Sequence, residues 1–285
     1  MRTAFITLIL LAAGAANAAC PRAALAALAA PAFTVADAGQ RQQLAVATLA
    51  CLADPDPVAR DELGFSALQA WMRAGALDAA TVDTIRSTLL ARLTGADPEG
   101  FMRPFAALAL AEVARIDRRT PFLTAAQRDE LVNAASTYLA GVRDYRGFDA
   151  RAGWRHGVAH GADLMLQLAL NPALDKAAQL RMLAAIASQV APAGEHFYLY
   201  GEGERLMAPV FYLARRDTLA DTDWQAWFAQ LAFGPATPAT QATLARRHNL
   251  NGFLLPLYAA LHENGDAGQR ARLLPIVTKA LMAGE

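Results

Sequence analysis

The sequence predicts an all-α fold, a superhelix of stacked antiparallel helical hairpins of the armadillo or HEAT type. Three observations predict it. Alanine makes up about a quarter of the chain while valine and isoleucine are sparse, a composition that favours helix over strand. Apolar residues recur at helical spacing, as in Leu44, Val46, Leu49 and Leu52 and again in Phe65, Leu68, Trp71 and Met72, and no segment alternates as a strand would. Turn residues cut the chain into about a dozen helices, too short for a coiled coil and joined by connections that suit antiparallel neighbours.

The first element is an export signal. Met1 and Arg2 supply a positive start, residues 4–13 are almost wholly apolar, and Ala16-Asn17-Ala18 is a small-x-small cleavage site. The apolar run is too short to span a bilayer, and no later segment is both long enough and free enough of charge to do so. The expectation is therefore a signal peptide over 1–18 followed by one helical-repeat domain over 19–285, periplasmic or secreted. A second reading makes Cys20 the lipid-bearing first residue of a lipoprotein, although Asn17 then stands where a lipobox wants an aliphatic side chain. The other cysteine is Cys51, and an even pair in an exported chain predicts a Cys20–Cys51 disulfide.

Beyond the signal, breaks fall at 54–57, Gly75, 95–100, Thr120-Pro121, 146–153, Asn171-Pro172, 192–203, 234–238 and Asn264-Gly265. Thr124-Ala-Ala-Gln127 is a capping box, and Thr81 and Asp221 are expected to open the helices that follow them. Pro104, Pro209, Pro256 and Pro275 each precede an apolar run and are expected in first turns, where the missing N–H has no helical partner. The interval of 47 residues between Pro209 and Pro256 suits a two-helix repeat, though the other prolines do not share it.

Composition also excludes function classes. A chain that is 55% hydrophobic is not disordered. Its 26 basic residues are matched by 26 acidic ones, leaving no surplus with which to displace counterions from nucleic acid. The pairs Arg118-Arg119 and Arg246-Arg247 are too small to change that. No Gly-x-Ser-x-Gly elbow, phosphate loop or dinucleotide fingerprint occurs.

The informative stretch is 146–167. On a helix His156, His160, Asp163 and Gln167 fall in a stripe about 60° wide, with Gly157 and Gly161 beside them. Two glycines four apart in so alanine-rich a chain suggest that a Cβ would collide with a neighbour, since each costs about 1 kcal/mol relative to alanine. The polar stripe is either the wet edge of a buried helix or a site. Histidines at i and i+4 with a carboxylate one turn on form a set that zinc accepts, although there is no His-Glu-x-x-His. Glu202 and Glu204, in a glycine-rich turn entering a helix, are further carboxylates that could face the stripe. Phe197, Tyr198 and Tyr200, beside His196, read as core packing or as a stacking surface.

Several segments together carry a resemblance. Arg60-Asp61-Glu62, Phe101-Met-Arg103-Pro104-Phe105, Arg143-Asp144-Tyr-Arg146-Gly-Phe, Gly153-Trp154-Arg-His156-Gly-Val-Ala-His160-Gly-Ala-Asp163 and Gly203-Glu204-Arg205 resemble the bacterial Domain of Unknown Function 2785 family over most of the mature chain. The Trp-x-His-x-x-x-His-x-x-Asp segment is its most recognisable piece. The resemblance implies an all-helical fold and no established activity. It also implies Asp61, Arg103, Arg146, Trp154, His156, His160, Asp163, Glu204, Arg205 and Asn249 as site residues. This chain departs from the pattern at Pro104 and Pro256, where a serine is expected, and at Leu255, where an arginine is expected.

The leading expectation is an exported binding or scaffold protein whose concave face, centred on His156, His160 and Asp163, holds a peptide, a partner protein or a small polar ligand. No cofactor is required. The alternative is a hydrolase of a cell-envelope substrate with His156 or Glu204 as general base, and with zinc on His156, His160 and Asp163 as its metal-dependent form.

Overall fold

The computed structural model describes residues 19–30, 32–232 and 239–282. The signal-peptide reading of 1–18 and the break at 234–238 therefore lie outside the described residues. Among these residues stand twelve α-helices and one small hairpin. They are α1 (Arg22–Leu28), α2 (Ala38–Thr48), α3 (Ser66–Arg73), α4 (Ala79–Thr94), α5 (Met102–Arg119), α6 (Ala125–Gly141), the strands β1 (Phe148–Asp149) and β2 (Gly153–Trp154), α7 (Gly157–Ala169), α8 (Lys176–Val190), α9 (Glu202–Leu213), α10 (Asp221–Leu231), α11 (Gln241–Asn264) and α12 (Ala267–Met282). A 3₁₀ turn follows α2, and a π-helical stretch, Val58–Phe65, leads into α3.

Local chemistry explains most helix starts. Asp37, Thr124, Asp175 and Thr240 each accept a backbone N–H of the first turn, and Gln127 completes the capping box. Two expected caps are corrected. The cap of α4 is Asp78, which accepts from Thr81 N at 2.7 Å, so Thr81 lies inside the helix. At α10 it is Asp223 that reaches back to Ala220 N, at 2.8 Å, while Asp221 pairs with Arg272.

The prolines are a second correction. Pro104 stands in the first turn of α5, but Pro209, Pro256 and Pro275 lie inside α9, α11 and α12. An internal proline leaves the carbonyl four residues earlier without its helical donor. For Pro256 that carbonyl is Gly252's, and against it α9 makes its close approach to α11. A Cβ on Gly203 would lie 2.5 Å from Gly252 O.

Helices pack in two layers. In one, α3 lies on α5, α5 on α7, α7 on α9 and α9 on α11; in the other, α2 lies on α4, α4 on α6, α6 on α8 and α8 on α10. Consecutive pairs such as α4 and α5, α6 and α7, and α8 and α9 join the layers. A continuous apolar core runs between them from Leu25 to Val277. Polar ties cross it: buried Asp117 accepts from Arg128, Asn171 and the N–H groups of Phe122 and Leu123, joining the end of α5 to the start of α6 and the end of α7. The expected Cys20–Cys51 bridge is present and ties the start of α1 to the turn after α2. No helix of the described residues is long and apolar enough to cross a membrane.

Candidate functional site

The stretch singled out in the sequence is not all helix. Residues 148–154 form a two-stranded hairpin in which Phe148 pairs with Trp154, and α7 begins only at Gly157. His156 caps that helix in the left-handed region, at φ 56°, which non-glycine residues seldom adopt. Its N–H donates to Arg146 O and its carbonyl accepts from His160 N, so one strained residue turns the hairpin into the helix. The stripe on α7 thus contains His160, Asp163 and Gln167, with His156 above its end.

Beneath the hairpin lies Arg60, with 0% of its surface exposed. Its guanidinium donates to both Asp61 oxygens, to Asp54 O at 2.9 Å and to Ala152 O at 2.7 Å, and stacks 4.0 Å over Phe101. Next to it the buried His160 ring sits edge-on to Phe105, at 5.0 Å, and 5.7 Å from His156. Burial pushes the His160 imidazole down to about 3, helped by the positive fields of His156 and Arg205 and opposed by the carbonyl of Pro104. His160 Nδ1 is buried without a partner.

The other polar groups of the cluster are held by one another. Arg205 Nη1 donates to both Asp163 oxygens at 2.6 Å. Burial nonetheless keeps the Asp163 carboxyl above its ordinary value. His156 Nε2–H donates to Tyr200 O at 3.1 Å, which fixes its tautomer, and burial lowers its pKa. Glu202 accepts from Tyr200 N at 2.9 Å and lies buried, its charge facing His156. Gln167 accepts from Arg118.

Over this network lies an exposed aromatic face. Trp154 stacks on His156 at 4.7 Å, Phe148 tilts against Trp154, and Tyr200 meets Trp154 edge-on. These rings remain 37% (Trp154), 50% (Phe148) and 40% (Tyr200) exposed, whereas Trp71, Trp224 and Trp227 are buried.

The structure therefore gathers Asp61, Trp154, His156, His160, Asp163 and Arg205. It leaves four expected site residues elsewhere. Glu204 is exposed on α9, and the carboxylate that faces His156 is Glu202's. Asn249 is buried in α11, where it clamps the 196–198 segment through Tyr198 N and His196 O. Arg103 lines a cavity of about 290 Å³, and Arg146 is paired with Asp144, which lines the same cavity. Of the departures from the family pattern, Pro104 lines that cavity too, while Leu255 and Pro256 lie on α11.

Among the described residues no three His, Cys, Asp or Glu side chains are grouped so as to hold a metal ion. Asp163 is already engaged by Arg205, and His156 by a carbonyl. Of the two glycines, Gly161 packs tightly, since a Cβ there would meet Leu139 and Tyr138 at 3.0–3.1 Å; at Gly157 it would make only ordinary contacts. Sequence reading missed Arg60 and Phe148 as parts of the site, and left Tyr200 between core packing and a stacking surface. Arg60 stands next to Asp61, and a buried guanidinium needs such a partner, which was the available signal.

Neither a curated protein nor a solved structure matches this chain. The family model described as "Protein of unknown function (DUF2785)" matches residues 89–259, from within α4 to within α11, a span that includes the hairpin, α7, α9 and the cavity. More than half of the sequence is covered, with the candidate residues other than Asp61 inside it, and the chain belongs to the DUF2785 family.

Proposed function

We propose that the protein is an exported binding module, one domain of stacked helical hairpins over 19–285, which engages a peptide or protein segment on the aromatic face of Phe148, Trp154 and Tyr200. The observation that carries this reading is the contrast at the site: apart from His160 Nδ1, the polar groups are held by protein partners, while the rings above them are exposed. Aromatic side chains with one open face and a charged rim supply contact area at low entropic cost. Here the Asp163–Arg205 pair is the rim.

Stacking of repeats is supported by the spacing of ties between successive helices of the same layer. Arg86 to Glu130, Gln127 to Asp83, His156 to Tyr200 and Trp227 to Leu183 all span 44 residues, and Lys176 to Asp223 spans 47. A recurrence near 44 is the length of a two-helix repeat. Export is supported by the residues at 1–18 and by the Cys20–Cys51 bridge, which suits an oxidising compartment. The hydrolase alternative draws less support, because Glu204 is not beside His156 and the burial of His160 opposes a proton-transfer role near neutral pH.

Site-specific photocross-linking in the exporting cell tests the reading. With benzoylphenylalanine in place of Trp154, a discrete adduct is expected that is missing when the same group replaces the exposed Leu244 of α11. Absence of any adduct at 154, or the same adducts at both positions, would contradict it.

A further inference from the structure

The cavity beside Arg103 adjoins the histidine cluster at Pro104 and Gly157, but neither histidine nor any ring of the aromatic face lines it. Its floor is the buried Tyr138 ring with Pro104 and Val142, and its rim carries Arg103, Arg143 and Arg155. These three residues come from α5, the end of α6 and the hairpin exit, so the fold alone assembles them.

Their partners are unusual for arginines. Arg103 Nε donates to Leu93 O at 2.8 Å, Arg155 Nε donates to Glu99 O at 2.8 Å, and Arg143 Nη1 donates to the carbonyls of Ala140 and Val142. Two of the three also lie over rings, Arg155 over Phe101 at 4.2 Å and Arg103 over Tyr138 at 5.7 Å. Neutral acceptors thus orient each guanidinium without cancelling its charge.

Two carboxylates also line the cavity, and both have hydrogen-bond partners other than the three guanidiniums. Asp97 accepts the backbone N–H groups of Gly100, Phe101, Met102 and Arg103, so it already occupies the start of α5. Asp144 is held by Arg146 Nε and Nη2 at 2.5–3.0 Å. Among the described residues none of Arg103, Arg143 and Arg155 forms an ion pair with a carboxylate. With Asp144 paired to Arg146, three oriented guanidiniums face one remaining carboxylate, Asp97, and leave the lining net positive.

We infer that this cavity is a binding site for a small organic oxyanion, a carboxylate or phosphate monoester with a flat apolar body. The guanidiniums take the head group, and the Tyr138, Pro104 and Val142 floor takes the body. A volume of about 290 Å³ limits the ligand to about one ring and its head group. This site is separate from the aromatic face, so its failure would leave the cross-linking experiment unaffected.

Isothermal titration of the full mature chain with benzoate, phenyl phosphate, inorganic phosphate and, as a cationic control, choline tests the inference. Benzoate or phenyl phosphate is expected to bind saturably at low salt with Kd at or below about 1 mM. The better of the two identifies the head group, and it should bind more tightly than inorganic phosphate alone. Arg103→Gln and the exposed Arg143→Gln should each weaken it by about fivefold or more. No saturable heat from either organic anion, an equal response to choline, or unchanged affinity in both folded variants would overturn the proposal.

Discussion

Arg60 has the highest stakes of any single residue near the site. It is a buried cation whose hydrogen bonds run to Asp61, to the carbonyl of Asp54 and, across 92 residues, to Ala152 in the hairpin turn. Replacing it strands Asp61 and two carbonyls in a low-dielectric setting. Arg60→Leu is expected to cost about 3–5 kcal/mol in urea unfolding and to loosen the hairpin, shifting and broadening Trp154 emission. His156 shows a different constraint, since its left-handed backbone is what turns β2 into α7. His156→Gly should preserve that turn while losing the Trp154 stack and the bond to Tyr200 O. The expected result is a folded protein whose Trp154 is more readily quenched by acrylamide.

At the scale of elements, the α9–α11 crossing makes two glycines behave oppositely. A Cβ at Gly203 would meet the Gly252 backbone, so Gly203→Ala is expected to destabilise by about 1–3 kcal/mol. A Cβ at Gly252 meets nothing within 4 Å, so Gly252→Ala is expected to stabilise by up to about 1 kcal/mol through helix propensity. Equal shifts of the two melting curves would refute this account of the crossing. The Cys20–Cys51 bridge spans a sequence separation of 31, and a Cys20→Ser, Cys51→Ser double variant is expected to lose about 3–4 kcal/mol on the chain-entropy model.

Elements and their breaks were legible where alanine, glycine and capping residues carry local information, as at Thr124 and Gly75. Pro209, Pro256 and Pro275 were misread because neighbouring helices can pack against the carbonyls that prolines release, which no local rule reveals. His156 was misread because stepping 100° per residue cannot register a left-handed residue at the helix entrance. The cavity was invisible for a similar reason: Arg103, Arg143 and Arg155 are distant in sequence and meet only in the fold.

For the whole molecule, buried neutral histidines tie stability to pH. His160 has an ordinary value of 6.5 when unfolded and about 3 when folded. Between those values the unfolded chain binds the extra proton, so stability falls as pH is lowered from about 6.5 towards 3. From pH 7 to pH 4.5 the loss from this residue is expected to reach about 2–3 kcal/mol. His156 and His196, also lowered by burial, act in the same direction, while Asp61 and Asp163, raised by burial, act against it. The contribution of His160 is therefore read as the difference in slope between wild type and His160→Gln in urea unfolding at the two pH values. The protein should be most stable near neutral pH, with the aromatic face formed there.

The central claim is that the histidines form a structural support beneath a binding face and do not act as a catalytic acid and base. Nuclear magnetic resonance titration of the imidazoles in the folded protein tests it most directly. The account predicts that His156 titrates below 6.5 and His160 near 3, both neutral at pH 7. A value at or above 6.5 for either ring would contradict it and would provide the proton-transfer group that a hydrolase needs.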